Sequence, residues 1–179
     1  MQGYNAQAVV TEDQVILAAE VTQEANDVKQ LHPMLEQTEV NLAAAGVEGE
    51  VETVLADAGY WSETNIQEAD PEGPELFIAT TKDWKQRKAM RERPSPRGRI
   101  PNNLGVRDRM ERKLLTKRGR QLYKKRSRTI EPVFGQVKAA RDCEMFMRRG
   151  VKAAGSEWKL ICATHNLLKL FRFGTRSWN

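Results

Sequence analysis

Glu131, Gly135 and Lys138 lie in TIEPVFGQVK, residues 129–138, at positions i, i+4 and i+7. On a helix of 3.6 residues per turn these three share one face. That face carries a carboxylate, a position without a side chain and an ammonium, where a structural helix would carry apolar groups. A second carboxylate, Asp57, follows the apolar run VETVLA at 51–56, the strand end where open α/β sheets place their sites. Strand-end aspartates also form turns and caps, and solvated helical glutamates are common, so neither residue alone specifies chemistry. Together they suit phosphodiester chemistry by divalent cations, which needs carboxylates converging on metals about 3.5–4 Å apart. Mg²⁺ is satisfied by a few carboxylate oxygens with water and substrate phosphate, so neither histidine nor cysteine is required. Tyr123-Lys124-Lys125-Arg126 and Lys138 would hold a polyanionic strand beside such a site. Arg148-Arg149 reads equally as a phosphate grip or a solvated turn.

The charge distribution points to the same class of partner. Residues 1–80 hold one basic residue, Lys29, against sixteen acids, whereas residues 81–179 hold 28 Lys and Arg against eight acids. Nineteen of those cations fall between Lys82 and Arg128. Such asymmetry favours a nucleic acid over two solvated faces attracting each other. Cys143 and Cys162 lack metal-ligand spacing, and only two histidines exist, which argues against disulfide scaffolds and zinc sites. No run approaches the ~18 apolar residues of a membrane span. A reducing cytoplasm is the expected compartment.

The elements that must position these residues read as α/β. GYNAQAVV (3–10) and QVILAAEV (14–21) form a hairpin with a three-residue loop at 11–13. Asn26-Asp27 starts a helix through about Ala45, entered near His32 because of Pro33, and stopped by Gly46. VETVLA is a strand, Ser62 caps a short helix through Ala69, and ELFIAT (75–80) is a second buried strand. Residues 82–105, basic and broken by Pro94, Pro96, Gly98 and Pro101, read as a flexible excursion. A helix spans Val106 to Thr116, Arg118-Gly119 interrupts it, and another runs from about Gln121 toward Ala140. The last helix, 156–171, is expected to bury Trp158, Leu160, Ile161, Leu167 and Leu168. His165 on it is expected to be hydrogen-bonded structure, and Phe134 and Val137 are expected in the core.

Five blocks carry a family resemblance: QGYNAQAVV (2–10), EANDVKQLHPMLE (24–36), ADAGYWSETNI (56–66), RSRTIEPVFGQVKAARDCEMFMRRG (126–150) and EWKLICATHNLLKLFR (157–172). In this order they resemble a bacterial insertion-sequence DDE transposase over nearly the whole chain. The resemblance implies a ribonuclease-H-like (retroviral-integrase-like) fold, a mixed sheet flanked by helices, with residues 1–179 forming one partial catalytic domain. It implies that Asp57 is the second acid of the triad and Glu131 the third, both ligands of a two-Mg²⁺ site. Tyr123, Arg126, Glu131 and Lys138 are similar to the Tyr–Arg–Glu–Lys signature of one large branch. Glu131 and Lys138 keep its six-residue interval, whereas four residues separate Arg126 from Glu131 where the signature has three. The implied activity is DNA transposition, by phosphodiester hydrolysis and strand transfer at transposon ends, in the bacterial cytoplasm at the nucleoid.

The family's first acid ends its first strand, but this chain opens at MQGYNAQ, which matches the second. Asp13 in the hairpin loop and Asp27 at a helix start do not suit that role. The expectation is a C-terminal fragment lacking the first Asp and the first central strand, with little or no strand transfer of its own. Loss of that strand should leave two neighbours short of a partner or rearrange the sheet. Its expected partners are DNA and full-length transposase. The alternative is a non-catalytic nucleic-acid-binding or interaction fragment.

Overall fold

The computed structural model describes residues 3–139 and 143–176. The chain divides into two compact units, one of Met1–Ala25, Pro33–Val47 and Ser127–Asn179, the other of Asn26–His32 and Glu48–Arg126. Among the described residues, four strands form two separate two-stranded sheets, and no strand pairs with both. The architecture is mixed α/β, and no described helix is long and apolar enough to cross a membrane.

The first unit begins with the expected hairpin, β1 (Asn5–Val10) and β2 (Ile16–Thr22), paired antiparallel from Asn5↔Thr22 to Val10↔Ile16 with a bulge between Val9 and Val10. The connection is longer than the three residues read from the sequence. Gln14 takes a left-handed conformation, φ 64°, and the Thr11 amide bonds Val15 O at 2.9 Å, so β2 starts only at Ile16. Strand β2 buries Ile16, Ala18, Ala19 and Val21; Ala18 and Ala19 are adjacent, so side chains on both faces of the strand are covered.

Helix α1 (Leu31–Ala44) begins close to where Pro33 predicts, after a 3-10 turn at Val28–Gln30. Proline in a first helical turn loses no needed N–H. Gly46, φ 67°, ends the helix as expected, and the Val47 amide returns to Leu42 O at 3.1 Å. Asn41 Nδ2 ties the helix to Leu17 O of β2 at 2.7 Å.

Helix α6 (Val151–Arg176) lies on β2 through a line of specific bonds. Trp158 Nε1 donates to Gln7 O at 2.9 Å, and His165 Nε2 meets Gln14 O at 2.9 Å. The Asn166 amide serves both Ile16 N–H, at 2.8 Å, and Ile16 C=O, at 2.7 Å, as a neighbouring strand would. Trp158, Cys162 and Ala154 join Ile16, Ala19 and Val21 in the core, together with Val133 and Val137. Phe134 stacks on Trp158 at 5.8 Å and 14°. His165 and Trp158 thus behave as the sequence predicts, and Ile161 packs against the cluster. Leu160, Leu167 and Leu168 do not: they are 65%, 65% and 38% exposed. Helical spacing identifies apolar stripes, but α6 has two of them, and only the one holding Trp158, Cys162 and His165 meets the hairpin.

The second unit is built on a parallel pair, β3 (Thr53–Ala56) and β4 (Glu75–Ile78), in register from Thr53↔Glu75 to Ala56↔Ile78. Their crossover contains α2 (Glu63–Gln67), capped by Ser62, whose hydroxyl accepts the Asn65 amide at 3.0 Å. Phe77 and Ile78 are almost fully buried.

Within the stretch expected to lack an element, the chain forms α3 (Trp84–Glu92), started by Asp83, whose side chain accepts Lys85 N–H at 2.8 Å. None of its residues is buried, so no apolar stripe announces it. Helix α4 (Val106–Leu115) ends at Thr116, and α5 (Lys117–Ala139) begins at once. The interruption therefore falls at Thr116, before Arg118-Gly119. The Thr116 hydroxyl donates to Lys113 O and accepts the Gly119 amide, which joins the two helix ends. Ala140, the expected end of this helix, lies outside the described residues.

Candidate active site

In the second unit, β3 delivers Asp57 one residue past its last paired position, Ala56. Asp57 Oδ1 accepts the Gly59 amide at 2.6 Å, and the Tyr60 amide approaches Asp57 O at 3.3 Å. The carboxylate is therefore oriented by its own turn. A Cβ at Gly59 would stand 2.4 Å from Asp27 Oδ2 and 2.9 Å from Asp57 Oδ1. Only glycine leaves room for both oxygens, so two carboxylates far apart in sequence converge on one small residue.

Asp27 is the member that sequence reasoning set aside. It stands at the start of the 3-10 turn, but its side chain makes no capping bond there. Asn65 locks the arrangement: its Nδ2 donates to Val28 O at 2.8 Å and Tyr60 O at 2.9 Å, tying the turn after Asp27 to the loop after Asp57. No spacing rule connects Asp27 with Asp57. The tight Asp-Ala-Gly turn was the available cue that something approaches Gly59. Burial, and then the negative charges of Asp27 and Asp57, push the Tyr60 phenol above its ordinary range.

Tyr123, on the N-terminal part of α5, donates its hydroxyl to Ala56 O at 3.1 Å. Ala56 immediately precedes Asp57, so Tyr123 props the end of the strand that carries the carboxylate. Burial raises the Tyr123 phenol, the Arg126 charge opposes that rise, and the Asp57 charge adds to it. The Arg126 guanidinium lies 5.9 Å from the Tyr123 ring centroid. The structure thus brings Asp27, Asp57, Tyr60, Tyr123 and Arg126 together within this unit.

Glu131, Lys138, Arg148 and Arg149 belong to the first unit. Glu131, Gly135 and Lys138 are all exposed, while Val133 and Val137 on the same helix are fully buried. The i, i+4, i+7 face is therefore a surface face, as its residue types predict. A Cβ at Gly135 would meet nothing within 4 Å. Close contact with another helix therefore does not account for this glycine. Pro132 lies within the helix and cannot donate to Arg128 O; Gln14 Nε2 supplies that carbonyl with a donor at 3.1 Å.

Arg148 and Arg149 are exposed in the segment before α6. The Glu157 carboxylate accepts the amides of Met147 and Arg148, both at 2.9 Å, which fixes the backbone that carries the arginines. Glu157 was not singled out from the sequence because a lone helical glutamate carries no signal.

Among the described residues, no group of three or more His, Cys, Asp or Glu is placed to hold a metal. The pair of Asp27 and Asp57 nevertheless fits a hard cation such as Mg²⁺, which takes one or two carboxylates and completes its shell with water and phosphate. It does not fit zinc, which favours imidazole and thiolate.

Residues 80–171 match the family described as transposase DDE domain. The matched span contains Tyr123, Arg126, Glu131, Lys138, Arg148 and Arg149, and it begins after Asp57. No curated protein and no solved structure matches the chain. The family match covers just over half of the residues and includes both the exposed acidic–basic face of α5 and the helix that packs on the hairpin. The chain belongs to the transposase DDE domain family.

Proposed function

We propose that this chain acts on DNA in transposition, with Asp57 and Glu131 as acids of a metal-dependent phosphodiester reaction on a ribonuclease-H-like scaffold. The observation that carries the reading is Asp57, fixed at the end of β3 by the Gly59 amide with Asp27 on the other side of the same glycine. Two carboxylates at one point raise the attraction for a divalent cation. Bound Mg²⁺ would supply activation of water or a 3′-hydroxyl and stabilisation of the leaving oxygen. The protein's own part is to hold and orient. Asp57 and Glu131 present carboxylate oxygens; Lys138, Arg148 and Arg149 neutralise backbone phosphates; Tyr123 steadies the end of β3, and Arg126 beside its ring adds positive charge for the DNA. Gly135 keeps the surface open between Glu131 and Lys138.

The DNA arm of the proposal is tested by titrating binding to a duplex oligonucleotide against salt. Affinity should fall linearly on logarithmic axes, and Lys138→Ala should reduce the slope by about 1. A slope near zero would exclude counterion release and with it a DNA substrate. A steep slope with no effect of divalent cations or of Asp57→Asn would instead favour a non-catalytic DNA-binding role.

A further inference from the structure

Among the described residues, Gln14 is the one non-glycine in a left-handed conformation, φ 64°. Glycine and asparagine adopt this geometry at less cost, so the turn by itself does not account for a glutamine there. Its side chain does. Gln14 Nε2 donates to Arg128 O at 3.1 Å, Gln14 Oε1 accepts Lys169 Nζ at 2.7 Å, and Gln136 Nε2 approaches the same oxygen at 3.5 Å. A carbonyl only accepts and an ammonium only donates, so these partners fix which way the amide points. The Gln14 backbone carbonyl meets His165 Nε2 at 2.9 Å, and its amide donates to Thr11 O at 2.9 Å. One residue of the hairpin loop thus joins α5 and α6.

All of these groups lie in the first unit, and two of them bracket Pro132 on α5. Arg128 is one turn before the proline, and Gln136 is one turn after it. Beyond Pro132 the core grips the helix: Val133 and Val137 are buried, and Phe134 stacks on Trp158. Before it, Arg128 O has no helical donor, and a proline at such a place frees the preceding turn to bend. That turn carries Glu131. We propose that Gln14 is a positioning residue for Glu131. It makes the bond that Pro132 cannot make, and so holds the turn that presents the carboxylate. The inference rests on the reading of Glu131 as a metal ligand, and it asks of Gln14 no contact with metal or DNA.

Three substitutions separate the parts of this device. Gln14→Gly suits the left-handed backbone and removes the side chain. Gln14→Glu keeps an acceptor for Lys169 but has no donor for Arg128 O. Pro132→Ala restores the helical N–H. In the metal-free chain, hydrogen exchange across residues 128–131 should rise about fivefold to tenfold in both Gln14 variants. Adding Pro132→Ala to either should bring it back. Mn²⁺ affinity with duplex DNA present, followed by electron paramagnetic resonance, should fall about tenfold in the same two variants and recover with Pro132→Ala. A merely structural glutamine would lower the urea midpoint and leave the Mn²⁺ affinity of folded protein unchanged. That result would overturn the proposal, as would a loss of affinity that Pro132→Ala does not restore. Glu131→Gln tells the two readings apart. If it weakens Mn²⁺ binding and the Gln14 variants do not, only the positioning role falls. If it leaves binding unchanged, the reading of Glu131 as a ligand falls, and the role of Gln14 with it.

Discussion

Two glycines in one helix should respond to alanine with opposite signs. Gly119 and Gly135 both lie in α5, and a helical glycine ordinarily costs about 0.5–1 kcal/mol relative to alanine. At Gly135 an added Cβ meets open space. Gly135→Ala should therefore stabilise the fold by about 0.5–1 kcal/mol, raising the melting temperature by roughly 2 °C at this chain length. At Gly119 the same methyl would sit 2.1 Å from Lys113 O and 3.0 Å from Lys113 C and Thr116 Oγ1. The obstacle is backbone, and Lys113 O already accepts the Thr116 hydroxyl at 2.7 Å and its amide at 3.2 Å. Relieving the clash moves a carbonyl by more than 1 Å and pulls apart the α4–α5 junction. Overpacking of this kind costs about 1–3 kcal/mol and should outweigh the gain in propensity. Urea unfolding followed by circular dichroism would measure both variants against wild type at constant slope. A midpoint for Gly119→Ala at or above wild type would refute the geometric reasoning. A destabilised Gly135→Ala would show that open space is not what surrounds that residue.

Three further substitutions probe the second unit. Burial opposes ionisation of Glu75, but Arg118 and Lys113 outweigh it and hold its carboxyl below its ordinary 4.5. The pairs therefore stabilise the fold above pH 4.5, and that contribution disappears as pH falls through the lower folded value. Glu75→Gln should flatten the acid limb of a stability–pH curve by no more than about 1 kcal/mol, since the groups are partly exposed; an unchanged limb would contradict the assignment. Tyr123→Phe removes the donor to Ala56 O and should cost about 1 kcal/mol of unfolding free energy. It should also weaken divalent-cation binding at Asp57, while Arg126→Ala weakens DNA binding with the fold intact. Equal effects of both on DNA alone would deny Tyr123 its role as a strut.

Local chemistry made much of the scaffold legible. The β-rich runs around 11–13, Pro33, Gly46 and Ser62 each dictate backbone geometry by their own structure, and the hairpin, α1 and α2 follow them. Helix α3 escaped notice because it buries nothing, leaving only a polar sequence interrupted afterwards by prolines. The exposed leucines of α6 were misread for a different reason: periodicity reports a stripe, and only the hairpin decides which of two stripes it covers. At the candidate site, Asp57 was visible because it ends an apolar strand, and the α5 face was visible because a carboxylate, a glycine and a lysine recur at helical spacing. Asp27 was not, since convergence on Gly59 depends on the packing of Asn65 between two loops.

The claim that matters most is that Asp57 and Glu131 serve a divalent cation. Electron paramagnetic resonance of Mn²⁺, titrated into the chain with duplex DNA present, measures it without requiring turnover. Saturable binding that Mg²⁺ displaces, weakened about tenfold or more by Asp57→Asn and by Glu131→Gln in folded protein, is the predicted result. Binding unchanged in both variants, or no saturable binding at all, would contradict it.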